Sequence, residues 1–257
     1  MSVGGKLSPW IRRLSGIASR RQIRLFCFPY AGGGASTFRG WAELLPAEVD
    51  VYAVQPPGRE DRLFETPVDD LAVVLREVVP EILEFSNEPF SLFGHSLGAV
   101  VCWEVARTLR DDHGVEPEHL FLSGCRALPT LHDGRRDLYA LSDHELVTAL
   151  REMNGTPEEI LQNDEFMRLL LPAVRADYAM LSRYRFVRGT APECGVTVFG
   201  GANDPAVSRG QLERWAADLP GGSQTLVLPG DHFFLHSSRV RLLAEIGSRL
   251  SSAELSA

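Results

Sequence analysis

Long apolar runs are missing from the sequence, so no stretch is able to span a lipid bilayer as a helix. The N-terminal segment likewise lacks the apolar core of a secretory signal peptide. Basic residues are in deficit, with 26 lysines and arginines against 34 aspartates and glutamates, which gives a formal net charge of −8 at pH 7. This balance disfavours binding to nucleic acids or to anionic membranes. We therefore expect a freely diffusing protein of the cytoplasm.

Cysteine is scarce, and its four occurrences are far apart: Cys27, Cys102, Cys125 and Cys194. No C-x-x-C pair or Cys/His cluster occurs, so the sequence supports neither a disulfide framework nor a zinc site. Three of the four lie in or beside apolar runs, which indicates buried free thiols. We expect no bound metal.

A long linker rich in proline, glycine or serine is also absent. We therefore expect one domain over residues 22–257, after a flexible N-terminal segment of residues 1–21. Apolar runs typical of strands alternate with helical patterns, which predicts an α/β fold, a parallel sheet with helices on both faces. The predicted strands are 23–28, 49–54, 90–93, 119–124, 195–201 and 224–228. The predicted helices are 36–45, 68–84, 97–110, 141–153, a short one from 156, 164–185, 208–219 and 237–250.

The most informative stretch is a short apolar run followed by Gly94-His95-Ser96-Leu97-Gly98 and a helical pattern. It matches the G-x-S-x-G nucleophile elbow, in which a serine stands on a strained turn between a strand and a helix. The turn forces the serine backbone into a disfavoured conformation, so glycines two residues before and two residues after it avoid clashes. We predict that Ser96 is a catalytic nucleophile. An ordinary surface serine is the alternative.

A second glycine-rich turn follows the first predicted strand, with Gly32, Gly33 and Gly34 in succession. Three glycines let backbone N–H groups point inward, as in the second oxyanion-hole element of α/β-hydrolases. A P-loop is disfavoured because no Gly-Lys-Ser/Thr follows, and the G-x-G-x-x-G dinucleotide pattern is missing. We expect the backbone N–H groups of Ala31 and Leu97 to form an oxyanion hole.

A serine hydroxyl needs an adjacent base to act as a nucleophile at neutral pH. In α/β-hydrolases the order along the chain is Ser, then Asp or Glu, then His. Ser96, Asp204 and His232 satisfy this order, and each follows a predicted strand. We predict that His232 accepts the serine proton and that Asp204 orients the imidazole. Two rivals are weaker: His95 is expected to point away from Ser96, and Asp231 adjoins His232 in sequence, where side chains usually diverge.

The segment between the predicted strands at 119–124 and 195–201 is far longer than a plain crossover requires. It is helix-rich, with Ser142 and Glu145 forming a capping-box pattern. We expect it to be a lid over the active site, at about residues 126–190. Its apolar residues would line an acyl pocket or, alternatively, pack on the core: Leu161, Phe166, Met167, Leu170, Leu171, Met180, Leu181 and Phe186.

The loop after the second predicted strand contains Pro57-Gly58-Arg59-Glu60, followed by Arg62. The two arginines either help to shape a pocket wall or have solvated or structural roles. We favour the second interpretation, because arginine is mostly exposed unless it is paired.

These motifs together resemble the type II thioesterases that accompany modular polyketide and nonribosomal peptide synthetases. The resemblance extends from about residue 23 to residue 250. The elements that carry it are Phe28-Pro29-Tyr30-Ala31-Gly32-Gly33-Gly34-Ala35, Gln55 with Pro57-Gly58-Arg59-Glu60, Gly94-His95-Ser96-Leu97-Gly98-Ala99, the loop of Asp204, and Gly230-Asp231-His232-Phe233-Phe234. The family often has Met where Leu97 stands, but only the backbone N–H of that residue is needed.

The resemblance implies an α/β-hydrolase fold with a mostly parallel sheet and a helical lid. It also implies hydrolysis of acyl thioesters on the phosphopantetheine arm of carrier proteins, which removes stalled or wrong acyl units from a synthetase. The expected partners are carrier domains of that synthetase. We expect a monomer without a cofactor of its own, since the substrate brings the phosphopantetheine.

Three alternatives remain open: a carboxylesterase or lipase acting on oxygen esters, a product-releasing thioesterase, and a non-catalytic binding protein. Product-releasing thioesterases are normally fused to a synthetase. Since this chain begins with Met1 and carries no carrier domain, we expect a separate editing enzyme.

Overall fold

A seven-stranded sheet forms the centre of the described part of the chain. The computed structural model describes residues 8–15, 23–134, 136–189, 192–219 and 223–253. The strands are β1 (Ile11–Arg13), β2 (Ile23–Phe28), β3 (Val49–Val54), β4 (Phe90–His95), β5 (His119–Ser123), β6 (Gly195–Gly201) and β7 (Gln224–Leu228). Their order is β1-β3-β2-β4-β5-β6-β7. β1 runs antiparallel to β3, and every other neighbouring pair is parallel.

Helices cover both faces of this sheet. They are α1 (Leu71–Leu83), α2 (Leu97–His113), α3 (Asp143–Met153), α4 (Glu158–Leu161), α5 (Asp164–Arg183), α6 (Arg209–Glu213), α7 (Trp215–Asp218), α8 (Phe234–Ser237) and α9 (Arg239–Ala253). Within the described ranges, no helix combines the length and the apolar character needed to cross a membrane.

Successive side chains of β2 enter two different apolar layers. Phe26 and Phe28 pack in a cluster with residues of α1, α2 and α5. Leu25 and Cys27 pack in a second cluster, on the other face, with residues of α9. Because side chains alternate along a strand, burial of both faces requires the continuous apolar run seen in the sequence. All six predicted strands are confirmed, with ends that agree to within two residues.

The N-terminal segment expected to be flexible contains structure that the sequence did not predict. Residues 11–13 form β1, which pairs with β3 at the edge of the sheet. Trp10 and Ile11 are buried there, and the guanidinium of Arg62 lies 4.8 Å from the Trp10 ring. The expectation of a flexible segment is therefore wrong for residues 8–15. Residues 1–7 and 16–22 lie outside the described residues.

The prediction of a helix at 36–45 is also wrong. Only a short 3₁₀ turn forms, over Ala35–Phe38. Gly40 follows with a φ of 79°, a left-handed conformation that interrupts any helix. Three apolar residues of this segment are buried, namely Phe38, Trp41 and Leu45, whereas Leu44 is 42% exposed.

Two later helices differ in their bounds from the prediction. The helix predicted at 208–219 is divided at Arg214 into α6 and α7. The helix predicted at 237–250 begins at Arg239 as α9, after the separate short helix α8. Buried Leu212 and Trp215 keep a helical spacing across the break, which explains the prediction of one continuous helix.

The segment between β5 and β6 forms the helical insertion, which contains α3, α4 and α5. The capping box at its first helix is confirmed, since Ser142 Oγ accepts a hydrogen bond from the Glu145 N–H and the Glu145 carboxylate accepts one from the Ser142 N–H. Most of its apolar residues pack on the core: Leu161, Met167, Leu171, Met180 and Leu181 are buried. Phe166 is 46% exposed.

Candidate active site

Ser96 stands on a sharp turn between β4 and α2. Its backbone has φ 55° and ψ −115°, a strained conformation for a residue other than glycine. A Cβ atom on Gly94 would lie 2.1 Å from the Gly98 carbonyl oxygen, and one on Gly98 would lie 2.1 Å from the Phe28 carbonyl oxygen. Only glycine therefore fits at both positions. The turn places Ser96 directly at the N-terminus of α2, where the first N–H groups have no partner within the helix.

His232 and Asp204 lie on loops after β7 and β6. His232 Nδ1 is 2.7 Å from Asp204 Oδ2. The other carboxylate oxygen, Oδ1, accepts hydrogen bonds from the N–H groups of Ala206 at 2.7 Å and Val207 at 3.1 Å. The Asp204 side chain is fully buried. Because an ionised carboxylate only accepts hydrogen bonds, Nδ1 of the neutral ring carries the proton and Nε2 is left as a free base.

A cavity of about 210 Å³ joins the candidate residues. Ser96, His232 and Ala31 all line it. The remaining wall is largely apolar and includes Val100, Leu131, Leu138, Met153, Leu181 and Phe233. Four of the five residues predicted from the sequence thus meet at one place, three on the cavity wall and Asp204 through its bond to His232. The fifth, Leu97, follows Ser96 as the first residue of α2, with its side chain in the core.

The glycine-rich turn after β2 is held by the loop that follows β3. Gln55 Oε1 accepts a hydrogen bond from the Ala35 N–H at 2.6 Å. The Glu60 carboxylate accepts bonds from the N–H and the hydroxyl of Ser36, at 3.1 and 2.7 Å. A Cβ atom on Gly34 would lie 2.4 Å from Glu60 Oε1, so a larger residue there would displace this carboxylate. The Pro-Gly-Arg-Glu motif therefore supports the backbone of the predicted oxyanion hole.

Arg59 and Arg62 are not solvated, as one part of the favoured interpretation had it, but are bonded within the protein. Both are buried. Arg62 donates to the Gln55 carbonyl and pairs with Glu65. Arg59 pairs with Asp177 of α5, a residue that sequence reasoning missed because no motif surrounds it.

Asp231 and His95, the rivals of the predicted residues, form hydrogen bonds to other groups. The Asp231 carboxylate accepts hydrogen bonds from the Phe233 N–H at 2.8 Å and from Asn154 Nδ2 at 2.9 Å. His95 Nδ1 is 2.8 Å from the hydroxyl of Ser123. Burial lowers the pKa of His95 well below its usual range, with a smaller contribution from the neighbouring His232, so the His95 ring is neutral at physiological pH.

An elbow serine, a bonded Asp–His pair on two later strand ends and a glycine-rich turn after an early strand are the arrangement of an α/β-hydrolase. The class defined by the fold and this arrangement is therefore that of the α/β-hydrolases.

Comparison with known proteins narrows this class. The sequence model of the thioesterase domain matches residues 23–250, so the chain belongs to the thioesterase family. The gramicidin S biosynthesis protein GrsT of Aneurinibacillus migulanus is 41% identical over 227 residues, which cover 88% of this chain and 88% of that protein. The thioesterase PikA5 of Streptomyces venezuelae is 36% identical over 242 residues, which cover 94% of this chain and 85% of PikA5.

A solved structure agrees with both sequence relatives. The type II thioesterase BorB from the borrelidin biosynthetic cluster superposes with a TM-score of 0.84 at 33% identity, over 94% of this chain and 97% of BorB. The predicted resemblance to type II thioesterases and the predicted α/β-hydrolase fold are confirmed.

Proposed function

We propose that this thioesterase hydrolyses acyl thioesters carried on the phosphopantetheine arm of carrier proteins, and that it removes aberrant or stalled acyl units from a polyketide or nonribosomal peptide synthetase. The observation that carries the chemistry is the Asp204–His232 hydrogen bond beside Ser96 at one cavity. The choice of substrate is supported by the likeness to GrsT, a gramicidin S biosynthesis protein, and to BorB, a type II thioesterase from the borrelidin biosynthetic cluster.

In the proposed first step, Ser96 Oγ attacks the thioester carbonyl while His232 Nε2 takes its proton. Negative charge develops on the carbonyl oxygen, and the N–H groups of Leu97 and Ala31 stabilise it. Asp204 stabilises the imidazolium that forms. The thiolate then leaves the tetrahedral intermediate, which requires less help from an acid than the departure of an amine. The departing thiolate takes the proton from His232, which returns the imidazole to its neutral form. In the second step His232 takes a proton from water, and the resulting hydroxide attacks the acyl-enzyme carbonyl. His232 then returns that proton to Ser96 Oγ as the carboxylic acid leaves.

We propose that the helical insertion acts as the lid of this site. Its residues Leu138, Met153 and Leu181 form part of the cavity wall together with Val100 of α2. An apolar wall of this kind suits the hydrocarbon part of an acyl group, because burial removes apolar surface from water.

The test compares one acyl group on three supports: a phosphopantetheinylated carrier protein, a small thiol, and an oxygen ester. We expect fastest release from the carrier protein, and loss of all turnover in Ser96→Ala. Equal rates on the carrier and the small thiol would remove the role of the carrier protein. A preference for the oxygen ester would instead indicate a carboxylesterase, and unchanged turnover in Ser96→Ala would place the catalytic site elsewhere.

A further inference from the structure

A buried ion pair connects the helical insertion to the glycine-rich turn. Arg59 Nη1 lies 2.6 Å from Asp177 Oδ2, and Arg59 Nη2 lies 3.0 Å from Asp177 Oδ1. The two side chains are only 3% and 5% exposed. Asp177 belongs to α5, whereas Arg59 follows β3, so the pair joins two parts of the fold that are 118 residues apart in sequence.

Both members of the pair also bond to the backbone of the turn. Asp177 Oδ2 accepts a hydrogen bond from the Gly32 N–H at 2.7 Å. Arg59 Nη1 donates to the Gly33 carbonyl at 3.1 Å. The Asp177 carboxylate therefore fixes the N–H of Gly32, the residue directly after Ala31. The Arg59 guanidinium fixes the carbonyl of Gly33.

Packing at the same point brings α5 very close to the turn. Gly32 has a φ of 82°, and a Cβ atom on it would lie 2.8 Å from Cγ2 of Val174. Val174 stands one turn before Asp177 on α5, so both side chains contact the turn from one face of that helix. The orientation of the Ala31 backbone is thus determined together with the position of α5.

We infer that Arg59 and Asp177 are a positioning pair that couples the insertion to the oxyanion hole. While the pair binds α5 to the turn, the Ala31 N–H points into the cavity. When the pair is broken, the Ala31 N–H no longer points there. The inference rests on the proposed function, in which Ala31 supplies one of the two oxyanion donors. It assigns the insertion a part in stabilising the transition state, in addition to forming the cavity wall.

The location of the pair distinguishes it from other ion pairs of α5. Arg183 pairs with Asp69, but the two side chains are 61% and 49% exposed. Exposed pairs of this kind contribute little to stability. A fully desolvated pair is at best weakly stabilising relative to apolar residues of similar volume, although loss of one partner is costly. A role in positioning therefore accounts for the burial of Arg59 and Asp177 better than a role in stability.

Asp177→Asn tests the inference, with Arg183→Gln as the control on the same helix. We expect Asp177→Asn to lower kcat by about 10- to 100-fold with little change in KM, because a misaimed donor weakens transition-state binding alone. Affinity for an acyl trifluoromethyl ketone, which forms an anionic tetrahedral adduct with serine, should fall by a similar factor. The affinity of Asp177→Asn for a non-hydrolysable thioether analogue of the substrate should not change. The control Arg183→Gln should match the wild type in every measurement.

A double variant separates positioning from folding. Arg59→Met combined with Asp177→Leu replaces the pair by apolar side chains, and such replacements are often neutral or stabilising. We expect the double variant to fold, with kcat as low as that of Asp177→Asn. Wild-type kcat in the double variant, or a fall in thermal stability without a fall in kcat in Asp177→Asn, would overturn the inference. Failure of the proposed function is visible separately, as turnover that survives Ser96→Ala.

Discussion

The Asp204 carboxylate is bonded to His232 Nδ1 through one oxygen and to two backbone N–H groups through the other. The N–H groups of Ala206 and Val207 both donate to Oδ1, so only a hydrogen-bond acceptor fits at that atom. This asymmetry fixes which atom of the side chain faces the imidazole, and it gives the first prediction.

Asp204→Asn should abolish most of the activity while leaving the fold intact. The amide oxygen must face Ala206 and Val207, so the amide NH₂ group faces His232 Nδ1 and donates to it. The ring proton then moves to Nε2, which is no longer able to accept the proton of Ser96. We expect kcat for acyl thioester hydrolysis to fall on the order of 10⁴-fold, the effect of the equivalent tautomer change in other triads.

The control for this prediction is Asp231→Asn. Asp231 precedes His232 directly, but its carboxylate bonds to Phe233 and Asn154 rather than to the imidazole. We expect kcat of this variant to stay close to that of the wild type. If Asp231→Asn lost more activity than Asp204→Asn, the roles assigned to the two carboxylates would be wrong.

Gly98→Ala should destabilise the protein strongly. The added Cβ would lie 2.1 Å from the Phe28 carbonyl oxygen and 2.6 Å from that of Pro29, and neither backbone atom is free to move alone. We expect the free energy of unfolding to fall by about 3 kcal/mol or more, measured by urea titration.

Gly210→Ala is the matched control. Gly210 lies in α6, and an added Cβ has no neighbour within 4 Å. Alanine is the better helix former, so this variant should gain about 0.5–1 kcal/mol. Equal stability of the two variants would show that the close approach between the elbow and β2 is not a constraint.

The size of the cavity should determine the preference for acyl length. Leu131 is buried and forms part of the cavity wall. Leu131→Phe should lower kcat/KM for long acyl chains relative to short ones by about tenfold, the scale of discrimination by a few methylene groups. Leu131→Ala should shift the preference the other way. Phe166, which is 46% exposed on α5, provides the control, since Phe166→Ala should keep the wild-type ratio.

The predicted catalytic residues could be located from the sequence because each follows a strand that is recognisable as an apolar run. Ser96 is surrounded by its two required glycines, and Asp204 and His232 come directly after apolar runs. Parallel strands bring their carboxyl ends to one edge of a sheet, so strand assignment alone indicates that these residues lie near one another. The structure places Ser96 and His232 on the same cavity wall.

Asp177 could not be found in this way. It is a single acidic residue in an amphipathic helix, and its partner Arg59 is 118 residues away. Nothing local distinguishes it from a solvated aspartate. β1 was missed for a related reason, since three residues are too few to show the alternation of a strand. The false helix at 36–45 arose because its apolar spacing is helical, while the left-handed Gly40 gives no signal in that spacing.

Stability should fall as the pH is lowered from 6.5 towards 4, in part because of His119. Burial lowers the pKa of His119 to about 4, with a smaller contribution from Arg249, whereas the unfolded side chain titrates near 6.5. In this window the unfolded chain binds more protons than the folded one, so each step down in pH favours unfolding. Near pH 5 one such group contributes about 1 kcal/mol per pH unit to the slope.

His119→Gln should reduce that slope, measured by urea unfolding at pH 7, 6 and 5. His119 Nε2 is 2.8 Å from the hydroxyl of Thr197, so Thr197→Val removes the hydrogen bond but leaves the imidazole in place. The Thr197→Val control should therefore lose stability at every pH and keep the slope, whereas His119→Gln should have a smaller slope. His95 adds a contribution of the same sign, because burial lowers its pKa as well, so a residual slope should persist in His119→Gln. An unchanged slope in His119→Gln would mean that folding does not lower the pKa of His119.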